Sequence, residues 1–222
     1  MSTALSARHD PVPAKLVPLE AAEMIVQAGR RLDAKGWVPA TAGNISVRLG
    51  PDRIAITRSG VHKGFLSGAD VIAVGLDGKP ADAAARPSAE TLLHCQIYAR
   101  FPAVGVVLHG HSVAGTVLSR HTAGPSLRFE GYEVQKVFEG QTTHAAAIDL
   151  PLVENDQDIP RLARRVAPLL VEHSPGYLIR GHGTYVWAAD MAGALARFEG
   201  LEFLLSCELE ARRTTHESPD RL

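Results

Sequence analysis

The stretch VGVVLHGHSVAGT, residues 104–116, ends an apolar run on two histidines, His109 and His111, one residue apart. In an extended chain alternate side chains point the same way, so both imidazoles can aim at one ion. Imidazole nitrogen suits Zn²⁺ and related transition metals. Two histidines alone do not specify a metal site, because a close pair among ten histidines also arises by chance. A third candidate is His182, which stands between Gly181 and Gly183 where two apolar runs meet. Glycines there permit a tight turn and a close backbone approach, whereas a plain hairpin tip has no need of a histidine. Three histidine ligands leave a tetrahedral metal one open position, as a catalytic site requires. The other histidines have plain explanations. His9 and His216 fall in expected tails, His94 on a helix face, and His62, His121, His144 and His173 in loops or at edges.

Carboxylates supply the next candidates. Glu90, in RPSAETLLH, opens an expected helix, where an acid complements the helix dipole; it can equally stand beside a metal. Glu133 lies in FEGYEVQKVF, which mixes aromatic and charged residues without a period. That pattern fits a solvated loop. It also fits a buried general acid or base whose pKa is raised by desolvation. Glu130 and Glu139 compete for the same role, and spacing does not choose among the three. Thr41-Ala42-Gly43-Asn44, Thr57-Arg58-Ser59-Gly60 and Pro87-Ser88 each offer backbone N–H groups with small hydroxyls or an amide. Taken singly, each is turn chemistry. Together, with Lys63 or Arg58 adding charge, they can form an anion-binding nest. None matches a Walker A loop or a GxGxxG fingerprint.

These residues need a scaffold. Pro18 suits the first turn of a helix whose apolar stripe is Ala22, Ile25, Gly29 and Leu32, with Gly36 ending it. TAGNISVRL and RIAIT read as two strands around a Gly-Pro-Asp turn, and DVIAVGLDGK as a strand into an Asp-Gly turn. Ser88 is placed to cap a helix over 89–100, with Leu92, Leu93 and Ile97 inward. Residues 104–108 form a strand and a short helix follows from Ser112. AAAIDL, 145–150, reads as a strand, and Asp158 caps a helix to about 171 with Pro160 in its first turn. GYLIR and TYVWA are strands split by Gly181-His182-Gly183, before a long helix over 190–213. Strands and helices mix without βαβ alternation, which predicts a largely antiparallel sheet with helices on its faces.

Composition narrows the function classes. A length of 222 residues suits one domain, and 45% hydrophobic with 21% charged residues is ordinary for a soluble globular protein. The expected organisation is an N-terminal arm over 1–16, one domain over 17–213 and a tail over 214–222. A net charge of −1 gives no basic surface for nucleic acid or membrane lipid. Cys95 and Cys207 are expected as reduced thiols. The N-terminus lacks an apolar h-region, and no apolar run reaches the ~18 residues of a membrane span. A cytoplasmic location is therefore expected.

The ordered set TAGNIS, ITRSG, RPSAE, HGHS and RGHG resembles the class II aldolase/adducin family, over roughly residues 18–213. The resemblance implies an α/β fold, a single three-layer α/β/α domain around a mainly antiparallel sheet. It implies a homotetramer with active sites between subunits, a small sugar phosphate as substrate, and a divalent metal, generally Zn²⁺. Within the family, SGVHKG and above all GYEVQK are similar to the branch that dehydrates a methylthio-bearing 2-ketose 1-phosphate. By that likeness His109, His111 and His182 ligate the metal and Glu133 is the catalytic acid/base. Asn44, Ser59, Gly60, Lys63 and Ser88 hold the phosphate. Glu90 matches a metal-proximal catalytic glutamate of the aldolases, which keeps an aldolase or epimerase reaction open beside dehydration. A non-catalytic head like that of adducin is the alternative from another class; it need not keep metal ligands, and three histidines with two glutamates weigh against it.

Overall fold

The structure, a computed structural model, describes residues 17–216. The arm expected over 1–16, and residues 217–222 of the expected tail, lie outside them.

The chain opens with α1 (Leu19–Ala34), then β1 (Asn44–Arg48), β2 (Arg53–Thr57) and β3 (Val71–Gly75). It continues through α2 (Thr91–Arg100), β4 (Val106–Gly110), α3 (Val113–His121), β5 (Ser126–Phe129) and β6 (Ile148–Val153). It ends with α4 (Ile159–Val166), β7 (Tyr177–Ile179), β8 (Thr184–Ala188) and α5 (Met191–His216). One eight-stranded sheet has the order β3-β2-β1-β4-β8-β7-β6-β5. Among the described residues only β6 and β7 pair in parallel; every other neighbouring pair is antiparallel.

Strand alternation sends side chains to two helical layers. Ile45, Val47, Val106, Leu108, Leu178 and Val186 pack with Ile25 and Leu32 of α1 and Phe198 and Leu201 of α5. Ile54, Ile56, Val107, Tyr177, Tyr185 and Trp187 pack with Leu93 and Ile97 of α2 and Leu162 and Val166 of α4. Each such side chain, fully buried, contributes about 1.5–3 kcal/mol. The same period of two turns Asn44, Ser46 and His109 to the α2 side. Here the sheet carries a polar row where it otherwise carries apolar residues. Asn44 pairs with His109, His109 with Tyr185, and Tyr185 with Tyr177.

Several expected boundaries move, each for a local reason. Helix α2 starts at Thr91, and Ser88 does not cap it. The Ser88 carbonyl accepts from Thr91 N and Oγ1, while its hydroxyl accepts from Asn44 Nδ2 at 2.7 Å. Helix α4 stops at Val166 and a single 3₁₀ turn, Ala167–Leu169, replaces the rest, because Pro168 has no N–H for the helical ladder. The strand expected at 145–150 runs instead over β6, where Ile148, Leu150, Leu152 and Val153 are buried and 144–145 are exposed. Its partner β5 has no counterpart in the sequence reading. The tail expected from 214 is helical through His216.

Candidate metal centre and anion cleft

Three segments converge on the polar row. Strand β4 delivers His109, and the chain just past its end delivers His111. The β7–β8 turn delivers His182. The residue before α2 delivers Glu90. Their potential ligand atoms lie within 4.8 Å of one another. The turn closes this tightly because Gly183 has no side chain: a Cβ there would lie 2.3 Å from the Gly110 oxygen and 2.8 Å from His109 Cε1.

The hydrogen bonds orient the imidazoles. His109 is fully buried, and its Nδ1 lies 2.9 Å from the Thr184 carbonyl oxygen. A carbonyl only accepts, so Nδ1 carries the proton, and in the neutral ring a metal ligand must be, the Nε2 lone pair faces the cluster. There it meets Glu90 Oε2 at 3.2 Å without hydrogen-bond geometry. His182 Nδ1 lies 3.3 Å from Asn155 Oδ1, which turns its Nε2 to Glu90 Oε1 at 2.6 Å. Ring stacking of His109 on Tyr185, 4.0 Å between centroids, and of Tyr185 on Tyr177, 4.7 Å, holds this geometry from behind.

A lone pair facing a carboxylate is repulsive unless a positive charge stands between them. One carboxylate cannot balance three imidazolium ions. Burial, reinforced by His109 and His182, pushes the His111 pKa down to about 3, so this ring is neutral, as a metal ligand must be. Burial pushes the Glu90 pKa upward, but His109 and His182 outweigh it and hold the carboxyl far below its ordinary range. Three imidazole nitrogens and one carboxylate form a donor set that fits a divalent transition metal.

Beside Glu90 and His111 opens a cleft of ≈ 280 Å³. Asn44, Arg58, Ser59, Gly60, Lys63 and Ser88 all line it, so the expected phosphate residues border one cleft. Lys63 is almost fully buried and its Nζ donates to the carbonyls of Thr41 (2.6 Å) and Val61 (2.8 Å). An ammonium has three N–H donors, so one is left for an anion. Burial lowers the Lys63 pKa to about 8 against the pull of Glu90. Arg58 is committed to Asp70 at 2.9 Å.

Glu133 is not part of this cluster. It starts the 3₁₀ segment Glu133–Val137, its side chain is 69% exposed, and it pairs with Lys136. Of the two readings of this stretch the solvated one holds, and the buried carboxyl with a raised pKa does not: the Lys136 hydrogen bond holds it below the ordinary range. The structure shows a solvated loop residue, because Val134 and Val137, not Glu133, pack toward the core and α5. Glu130 and Glu139 are likewise outside the cluster; Glu139 pairs with Arg197 and His173.

Two further polar residues escaped the sequence reading. His94 of α2 is completely buried behind Asn44. Its spacing from Glu90, i and i+4, was the available signal, since it puts both on one helix face. Glu202 of α5 is buried beneath the centre, 3.4 Å from Thr184 Oγ1, and burial raises its pKa to about 7. No spacing in the sequence singles it out.

Comparison with known proteins bears on this arrangement. The family model described as class II aldolase and adducin N-terminal domain matches residues 23–209. A methylthioribulose-1-phosphate dehydratase of Gluconobacter oxydans is 64% identical over 189 residues, covering 85% of this chain and 91% of that protein. One of Granulibacter bethesdensis is 60% identical over 202 residues, covering 88% and 94%. Among solved structures, L-fuculose-1-phosphate aldolase from Thermus thermophilus superposes with a TM-score of 0.73 at 27% identity, covering 89% of this chain and 97% of that one.

Proposed function

The chain belongs to the class II aldolase and adducin family, and from that premise we propose that it is a metal-dependent lyase. It dehydrates 5-methylthioribulose 1-phosphate to 2,3-diketo-5-methylthiopentyl 1-phosphate, a step of methionine salvage, as a cytoplasmic homotetramer with one Zn²⁺ per subunit. The observation that carries the proposal is that Glu90 and His111 of the histidine–glutamate cluster line the same cleft as Lys63. A phosphate held in the cleft presents the neighbouring ketose carbons to the cluster. Among the described residues no helix is long and apolar enough to cross a membrane.

His109, His111 and His182 would hold the metal, with Glu90 as the adjoining carboxylate. When bound, the metal supplies a Lewis acid for the C2 carbonyl, which acidifies the C3 proton. Lys63, Asn44 and Ser88, with the backbone at Ser59 and Gly60, bind the phosphate and fix which carbons face the histidines. Glu133 takes the C3 proton and returns a proton to the departing C4 oxygen. Its exposure suits service to a site on an adjoining copy of the chain. Loss of the C3 proton and the C4 hydroxyl as water leaves an enol, and tautomerisation gives the diketone.

Metal-loaded protein mixed with 5-methylthioribulose 1-phosphate and followed by NMR tests the proposal. Diketone formation with equal substrate loss is expected. Cleavage to a three-carbon phosphate and an aldehyde would transfer the chain to the aldolases. No turnover and no stoichiometric metal would favour a binding domain. A second expectation concerns pH. The Lys63 cation is present below about 8 and is lost above it. kcat/KM, which reports the free enzyme, should therefore fall as pH rises through about 8. Lys63→Met should lose about 1.5–3 kcal/mol of phosphate binding, roughly 10–150-fold in KM, and lack this alkaline limb. An unchanged limb in the variant would remove Lys63 from the phosphate site.

A further inference from the structure

Behind the cluster a buried polar relay runs from Glu90, Ser88 and Asn44 back to His94, Ser46 and Tyr98, and the proposed reaction uses none of these last three. His94 Nε2 lies 2.6 Å from Asn44 Oδ1, and His94 Nδ1 lies 2.7 Å from Ser46 Oγ. Ser46 Oγ lies 2.9 Å from the Tyr98 hydroxyl. At the other end, Asn44 Nδ2 donates to Ser88 Oγ at 2.7 Å and to Glu90 Oε2 at 3.1 Å. His94 and Ser46 are fully inaccessible to solvent, Tyr98 is 1% exposed and Asn44 3%. Each atom in the chain therefore depends on its neighbours for a partner.

The donor inventory fixes one direction of travel. Asn44 Oδ1 can only accept, so His94 Nε2 must carry a proton. In a neutral ring Nδ1 then accepts, and the Ser46 hydroxyl must donate to it. The Ser46 oxygen in turn accepts from Tyr98. Burial pushes the His94 pKa down to about 3, which keeps the ring in this neutral form.

The consequence falls on Glu90. A carboxamide flipped at Asn44 would put Oδ1 against the Glu90 carboxylate and Nδ2 against His94 Nε2–H. Both contacts would be repulsive. We propose that His94 is a positioning residue: its Nε2–H locks the Asn44 carboxamide with its N–H₂ edge toward Glu90 and Ser88, and so holds the Glu90 carboxylate over His109 and His182. Asn44 lies opposite His109 in the β1–β4 register, which sets the distance over which the lock acts. His94 touches neither the cluster nor the cleft. The consequence for metal binding rests on the metal reading above; the hydrogen-bond assignment does not.

Two measurements on the full chain test this. Histidine ¹⁵N NMR of metal-free protein reads the tautomer, with the His94 signals identified by their loss in His94→Gln. A neutral Nε2–H tautomer is expected; an Nδ1–H tautomer overturns the proposal whether or not the protein binds metal. Zinc affinity by competition with a chromophoric chelator reads the consequence. His94→Leu, which cannot donate, should weaken zinc by about 10–100-fold, the usual effect of losing a group that orients a ligand. His94→Gln, whose side-chain amide can donate from the Nε2 position, should restore it to near the wild-type value. If folded His94→Gln binds zinc as poorly as His94→Leu, or if His94→Leu binds normally, His94 is only a packing residue. If His94→Leu fails to fold, the glutamine variant and the tautomer still decide. Wild-type protein that takes up no zinc overturns the metal reading alone.

Discussion

His109→Ala should abolish stoichiometric metal binding and lower kcat/KM by more than about 100-fold, while the chain remains folded. Removing a group that merely orients a ligand typically costs 10–100-fold in affinity, and His109 is itself a candidate ligand. Its side chain is fully buried in the middle of the sheet, with Nδ1–H committed to the Thr184 carbonyl and Nε2 turned to the cluster. Truncation leaves that carbonyl without its partner, a cost of about 1–3 kcal/mol. It also removes the ring that stacks on Tyr185. A lowered melting temperature is therefore expected, short of unfolding, since both helical layers keep their apolar contacts. Metal content by elemental analysis, turnover by NMR and thermal unfolding check the three parts. Wild-type metal content in a folded variant would end the assignment of His109.

The grouping of the three histidines was legible because strand and turn periodicity constrain direction. A period of two puts His109 and His111 on one side, and the glycines around His182 announce a turn tight enough to bring a third imidazole to them. The cleft beside it was legible only as an ensemble. Each of its loops is an ordinary turn, and their meeting depends on β1 lying between β2 and β4, which no local pattern states. Failures cluster where tertiary partners override local preference. Ser88 has the right type and place for a helix cap, but Asn44 claims its hydroxyl. Pro168 ends α4 short of the helix expected to run to about 171. Four-residue β5 is too short for alternation to register, and it is fixed by pairing with β6. His94 looked like a bland helix residue because its importance lies in what stands opposite it across the sheet–helix interface.

Glu133 separates what a residue does for its own fold from what it does for the reaction. Changing it to glutamine should leave the melting temperature and metal content unchanged, since it is exposed and its ion pairs among the described residues are with Lys136 and His144. Turnover should nevertheless fall by about 10²–10⁴-fold, the usual contribution of a positioned acid or base. Its ionised state at neutral pH suits taking a proton first and giving it back second. Within one chain the carboxylate stands outside the metal cluster, so such a loss requires that it reach a site on another copy. Mixing separates the possibilities. His109→Ala has an intact Glu133, and Glu133→Gln has intact histidines. Dissociated and reassembled together, the two inactive variants should regain activity if each site draws on two chains. If each chain supplies its own site, every site in the mixture carries one lesion and activity stays absent. If Glu133→Gln alone turns over normally, the acid–base role passes to Glu90, the one carboxylate that already faces two of the histidines. An aldolase-like reaction would then regain weight, because the chemistry would sit entirely on the metal side of the cleft.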